Sequence, residues 1–250
     1  MPLESPHPQS AFGTRMNIQL IETMRVEPGG AVPLLDLHLR RLQASCRDLA
    51  YAYPGPPLRA AIRQCVAGLD AGRAHRLRLL LHADGRHALE AAALPATVQP
   101  VALRLAAAPL QAEHVWLRHK TTHRPWYEPA QRWLGAHPAY FDVLYCNDKD
   151  EACEGSRSNL YVRDDAGVWL TPPVDCGALP GVQRARLLEQ GLAREARLSR
   201  ADLLHASALR VSNALRGWLD AAIVFNDLED KDPTSDRKST RLNSSHTVIS

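Results

Sequence analysis

Apolar and polar residues alternate along 16–25 (MNIQLIETMR), with Ile18, Leu20 and Ile21 on the apolar side, which predicts a strand. The period then lengthens. Leu35, Leu39, Leu42, Cys46 and Leu49 recur at helical spacing and predict a helix over 34–51. A second helix is predicted over 57–69, opening near Pro57, a residue that a first helical turn tolerates. HRLRLLLH (75–82) and residues 87–94 flank Asp84-Gly85, a hairpin signal, and PVALRLAA (100–107) reads as a further strand.

The texture changes after Pro109. VWLRHKTT is strand-like, and a helix bearing Trp and Tyr is predicted near 125–135. FDVLYC and SNLYV are strand candidates separated by a polar turn. A short strand is expected at 168–171, a helix at 181–193 after Pro180-Gly181, and strands at 208–213 and 220–225. The class is α+β in two lobes: a small N-terminal lobe over 16–107, a linker at 108–113 and a larger lobe over 114–226. Residues 1–15 read as a loose leader and 227–250 as a tail. Within that tail, DRKSTRLNSSHTVIS (236–250) resembles the conceptual translation of a short-read sequencing adapter and is set apart from fold reasoning. There is no internal repeat.

Composition narrows the classes. The 250 residues are 45% hydrophobic and 23% charged, enough to bury a sizeable core. A net charge of +3 with scattered arginines gives no footprint for nucleic acid. No apolar run reaches the roughly 18–20 residues of a membrane helix. MPLESPHPQSAFGTR has no apolar signal core, so a cytoplasmic location is expected. The cysteines at 46, 65, 146, 153 and 176 are odd in number and lack CxxC spacing, which argues against a disulfide framework and against a metal site.

Four of the 30 basic residues are lysines (Lys120, Lys149, Lys231, Lys238) and the rest are arginines. Arginine stays protonated, whereas lysine can shift its pKa and form an imine. Lys120, in LRHKTTHR, is the lysine in an ordered, half-apolar setting; it is an imine-forming amine or a surface residue. Glu154, in EGSRSNL, suits the partner of a protonated pyridine nitrogen, or else sits in a solvated turn. Gly181 opens a helix whose first N–H groups, at Val182 and Gln183, lack intrahelical partners and suit an anion, although such a glycine is also ordinary punctuation. Ser212-Asn213 ends a strand with further donors. Arg41, in HLRRL, points at a phosphate or borders the core.

Six ordered blocks, LIETMR, HLRRL, RHKTTHRPWY, EGSRSNLYV, TPPVDCGALPGVQR and RVSNALRGW, together resemble the class IV pyridoxal-phosphate enzymes, the branched-chain and D-amino acid type, which include aminodeoxychorismate lyase. They span roughly residues 17–223. The resemblance implies the D-amino acid aminotransferase fold (fold type IV), pyridoxal 5'-phosphate between two lobes, and a homodimer. It implies that Lys120 holds the cofactor and shuttles protons, and that Glu154 faces the pyridine nitrogen with Ser158 helping to orient it. Arg41, the amides of Val182 and Gln183, and the Asn213–Ala214 segment would bind phosphate. Tyr127 would meet the ring hydroxyl, and Thr23 would lie near the reacting carbon.

There are departures from the family pattern. The glycine-rich segment before the first strand is reduced to QSAFGTR, Pro125 stands where transaminases often have Tyr, Gln183 replaces a frequent Thr, and Asp150 a turn Gly. RHKTTHR with Tyr127 resembles the lyase modules often fused to aminodeoxychorismate synthase, the expected functional partner. The implied activity on a small-molecule substrate is lysis of 4-amino-4-deoxychorismate; the alternative is a branched-chain or D-amino acid transaminase.

Overall fold

The computed structural model describes residues 18–111 and 114–224. The leader 1–15, the tail 227–250 with Lys231 and Lys238, and positions 112–113 of the expected linker lie outside the described residues.

Strand β1 (Leu20–Val26) buries Leu20, Glu22, Met24 and Val26 and leaves the residues between them half-buried. It pairs antiparallel with β2 (His75–Leu81), which pairs with β3 (His87–Ala93) across the expected Asp84-Gly85 turn. Helices α1 (Leu35–Leu49) and α2 (Pro56–Ala67) pack on this sheet through Leu39, Leu42, Cys46, Leu58 and Ile62. Burying one such aliphatic side chain is worth roughly 1.5–3 kcal/mol, so α1 is held firmly against β1. The same register carries His38 and Arg41 of α1 to Glu22 of β1.

The second sheet has eight strands in the order β6-β5-β4-β11-β10-β7-β8-β9. They are β4 (Val101–Leu105), β5 (Tyr140–Cys146), β6 (Ala152–Gly155), β7 (Asn159–Arg163), β8 (Trp169–Thr171), β9 (Arg194–Glu195), β10 (Leu209–Asn213) and β11 (Gly217–Ile223). Its core joins Val101, Leu103, Leu144, Leu160, Val211 and Leu219. β4 lies parallel to both β5 and β11. The chain thus passes from the first sheet to the second between Ala93 and Val101, and β4, although within the stretch 16–107, belongs to the second sheet. Alternation marks β4 as a strand but does not say which sheet receives it.

Three further expectations change. VWLRHKTT is not a strand. His114–Leu117 form one helical turn, α3, and within this stretch Thr121 makes an isolated bridge to Leu20. The β-branched and aromatic residues here yield to tertiary packing, with Leu117 buried beside Tyr127 and Val143. The helix expected at 181–193 is α5 (Val182–Glu189), ended by Gly191 at φ 67. Between FDVLYC (β5) and SNLYV (β7), where a polar turn alone was expected, the chain forms a further strand, β6, which pairs with β5, while β7 pairs with β10 and β8. The Trp/Tyr helix is a short turn, Pro125–Tyr127, followed by α4 (Glu128–Ala136). A last short helix, α6 (Arg200–Leu204), carries a Ser199–Asp202 capping box.

Candidate active site

A cleft of about 180 Å³ opens where the two sheets meet. Among its walls are Thr23, Arg41, Lys120, Arg124, Glu154, Ser158, Val182, Asn213 and Ala214. Lys120 is placed by its own main chain. Its carbonyl accepts from Ile21 N–H at 2.7 Å, and Thr122 N–H donates to Gln19 O at 2.9 Å, so the segment lies alongside the start of β1. Among the described residues Nζ makes no hydrogen bond and no ion pair. Burial, then the charges of Arg124 and Arg41, pull its ammonium down to about 7, against the opposing pull of Glu22 and Glu154. A substantial fraction is therefore a neutral, nucleophilic amine near neutrality. Lys149, by contrast, is exposed in its turn.

Glu154 is not in a solvated turn. It lies on β6, buried, with both oxygens committed. Tyr127 Oη donates to Oε1 at 2.7 Å; Leu179 N–H and Asn159 Nδ2 donate to Oε2 at 2.9 and 3.3 Å. Burial pushes its pKa up to about 7, and Arg124, Tyr127, the Leu179 amide and Lys120 restrain the rise. The loop after it is tied down by Asp142 of β5. That carboxylate accepts from Ser156 Oγ and Ser158 Oγ, each at 2.6 Å, and from Arg157 N–H at 3.1 Å. Burial raises the Asp142 pKa while these donors oppose it. Gly155 is required by this approach, since a Cβ there would lie 2.2 Å from Asp142 Oδ2.

The opposite end of the cleft is cationic. Arg41 donates to Glu22 at 2.9 and 2.5 Å and to the Pro180 carbonyl at 3.3 Å. Glu22 also binds His38 Nδ1 at 2.6 Å. Burial alone would raise the Glu22 pKa, but Arg41 and then His38 hold it down at about 2. The first turn of α5 faces this end through Gly181 and Val182, and the Ser212–Ala214 segment closes it. Helix-start N–H groups without intrahelical acceptors add anion-binding donors.

Most of the residues expected at the site converge here: Lys120, Thr23, Arg41, Glu154, Ser158, Val182, Asn213 and Ala214 border one cavity. Two have partners that the sequence did not indicate. The Tyr127 hydroxyl donates to Glu154 and so helps to fix the carboxylate; its ring borders a small recess beside Lys120 and Glu154 and not the cleft itself. Ser158 bonds Asp142 instead of Glu154 and orients the loop. Gln183 borders an adjoining chamber, leaving its main-chain N–H as its contribution here. Asp150 takes the left-handed turn conformation, φ 60, that its replacement of a glycine implies.

Sequence reasoning missed Glu22, His38, Asp142 and Asn159. Glu22 and Asp142 had a usable signal, as each places a carboxylate on the buried side of an apolar strand, where it must find partners. Arg124 stands four residues from Lys120, near enough in sequence to be read as a charge that lowers the lysine pKa, as it does here; its donation to the Ser156 carbonyl at 2.7 Å and its place over the Tyr127 ring at 4.6 Å had no such signal. Chemically, the cleft offers anion donors at one end, a carboxylate at the other, and an amine that can be neutral in between.

The family model described as amino-transferase class IV matches residues 19–224. A proposed amino-acid aminotransferase from Mesorhizobium loti is 37% identical, covering 83% of this chain and 100% of its own, with a TM-score of 0.76. A proposed branched-chain amino acid aminotransferase from Thermotoga maritima is 18% identical over 88% of this chain and 82% of its own, with a TM-score of 0.73. A proposed 4-amino-4-deoxychorismate lyase from Legionella pneumophila is 20% identical over 94% and 92%, with a TM-score of 0.71. The last two likenesses show the fold alone. No protein of curated function matches the chain.

Proposed function

The chain belongs to the class IV amino-transferase family of pyridoxal 5'-phosphate enzymes, and from that premise we propose that it is a lyase converting 4-amino-4-deoxychorismate to 4-aminobenzoate and pyruvate. The observation that carries a reaction at this site is the pairing of a partly neutral Lys120 with a buried, fully bonded Glu154 across one cleft. The residues present fit the cofactor. Lys120 Nζ, unpartnered among the described residues, suits its aldehyde; Arg41 with the α5 start suits its phosphate; Glu154 suits its ring nitrogen.

When bound, pyridoxal phosphate supplies an electron sink for a substrate carbanion. The chain supplies the rest. Lys120 Nζ, with its pKa near 7, is matched to take the proton from the amine-bearing carbon at neutral pH. Glu154 provides the negative charge that keeps a ring nitrogen protonated, and Tyr127, Asn159 and the Leu179 amide hold its two oxygens in place. Thr23, on the cleft side of β1, borders the space open to substrate. In the lyase reaction the enolpyruvyl group departs as pyruvate and the ring becomes aromatic.

The character of the walls supports the lyase over a branched-chain transaminase. Arg124 and Arg157 line the cleft in addition to the phosphate end at Arg41, which suits an anionic substrate better than a branched aliphatic side chain. On this reading the enzyme is a cytoplasmic homodimer serving folate precursor synthesis, downstream of aminodeoxychorismate synthase. Transamination is the second reading, favoured by the 37% identity to the Mesorhizobium protein. One experiment separates them. The holoprotein is incubated with 4-amino-4-deoxychorismate, and pyruvate is followed by a coupled dehydrogenase; parallel samples receive amino acids with 2-oxo acids. Pyruvate release supports the lyase. Amino-group exchange without pyruvate release overturns it.

A further inference from the structure

We propose that a second chamber, adjoining the cofactor cleft, docks a carboxylate that the substrate carries away from its reacting amine. This extends the reading above, in that it takes the neighbouring cleft to be the reacting site, but it does not depend on which reaction follows. The chamber encloses about 490 Å³. The elements that wall the cleft run on into it. β1 passes from Thr23 to Arg25, α1 from Arg41 to His38, α5 from Val182 to Arg186, and the β10–β11 turn from Asn213 to Arg216, with Ala214 bordering both spaces. Two strand residues, or one helical turn, advance about 5–7 Å. The chamber therefore begins about one ring-width beyond Thr23.

Its charge is unbalanced. Arg25, Arg186 and Arg216 face it against one lining carboxylate, Glu27, which is paired with Arg25 at 2.8 Å. Among the described residues the Arg186 guanidinium has no hydrogen-bond or ion-pair partner. Arg216 donates to the Pro95 carbonyl, and both burial and the nearby Arg25 disfavour its charge. His38, also in the wall, is 1% exposed; its Nδ1 is held by Glu22 and its Nε2 has no partner. Three guanidinium groups facing one carboxylate, with the Arg186 head unpartnered, leave a positive wall arranged for an anion that the chain itself does not provide. Planar arginine forks match a carboxylate. The cofactor's own phosphate has its donors at Arg41 and the α5 start, so a carboxylate on the substrate is the anion that fits.

The test is equilibrium binding to the cofactor-loaded protein by titration calorimetry, with three probes: glutarate, valerate and inorganic phosphate. Glutarate and valerate share a carbon count, lack an amine and cannot react. Glutarate should bind about tenfold or more tightly than valerate, which is about 1.4 kcal/mol. Arg186→Gln and Arg216→Gln, each checked for retained cofactor absorbance, should bring that ratio near one, and Arg186→Lys should restore part of it. A wild-type protein without the preference, variants that keep it, or phosphate competing as well as glutarate would each overturn the proposal. Because binding is read without turnover, a failure to release pyruvate counts against the lyase reading alone, whereas a lost glutarate preference counts against the chamber alone.

Discussion

Replacing Tyr127 by Phe isolates the support given to Glu154. The ring is 1% exposed, packed among Leu117, Ala130, Leu134 and Val143, edge-on to Tyr145 at 5.3 Å and beneath Arg124. Phenylalanine keeps those contacts and removes one atom, the hydroxyl that donates to Glu154 Oε1 at 2.7 Å. A hydrogen bond to a charged acceptor is worth about 1.5–3 kcal/mol. At about 1.4 kcal/mol per pH unit, its loss moves the Glu154 titration up by about one to two pH units. The sign follows from the donor favouring the ionised carboxylate, so without it protonation occurs at higher pH. The assay is kcat/KM against pH for the loaded enzyme, whose acid limb reports groups of the free enzyme. The limb should move to higher pH, with rate regained above it. A limb that stays in place, or moves down, would refute the assignment of Tyr127 to the carboxylate.

Other substitutions probe the same construction. Glu154→Gln should keep the cofactor and its attachment to Lys120 yet lose about 100-fold in turnover, about 2.7 kcal/mol, whereas normal turnover would remove Glu154 from the chemistry. Glu22, held near 2 against an ordinary 4.5, contributes about 3 kcal/mol of stability that is full above about pH 4.5 and lost as pH falls toward 2. Denaturation across that range should therefore show a slope that Glu22→Gln flattens, and an unchanged slope would contradict the Glu22–Arg41–His38 arrangement. At Gly181 a Cβ would lie 1.9 Å from Asn159 Oδ1. Gly181→Ala should accordingly lose about 1–3 kcal/mol in chemical denaturation and loosen the Asn159 contact with Glu154, and a variant within about 0.5 kcal/mol of the parent would show that Asn159 can yield.

What the sequence revealed divides along physical lines. The α1 stripe was legible because one-face burial stamps a period on the residues, the Asp84-Gly85 hairpin because its turn residues are distinctive, and β5 because a short apolar run buried on both faces still reads as a strand. The partition of β4 was not, because a strand's pattern is the same whichever sheet receives it. The Lys120 segment was misread as a strand because its composition is that of one, while its place is set by the burial of its own Leu117 with Tyr127 and Val143 and by a single bridge to Leu20. At the site, Lys120 stood out against a background of arginines, and Glu154 and Gly181 through their setting. The partners that fix them, Asp142, Asn159 and Arg124, lie 12, 5 and 30 positions from Glu154 and become neighbours only when β5, β6 and β7 are assembled. Tyr127 was found, but its bond to Glu154 was not, since spacing from Lys120 does not reveal a buried carboxylate brought up by another strand.

The most direct measurement is chemical fixation of the cofactor. The purified, yellow holoprotein is reduced with borohydride, digested, and the labelled peptide identified by mass spectrometry, with Lys120→Arg carried in parallel. The label should fall on Lys120, and the arginine variant, which keeps the charge but cannot form the bond, should take up none and have no turnover. A label on Lys149, or a Lys120→Arg protein that still labels and turns over, would contradict the assignment of Lys120 as the residue that holds the cofactor.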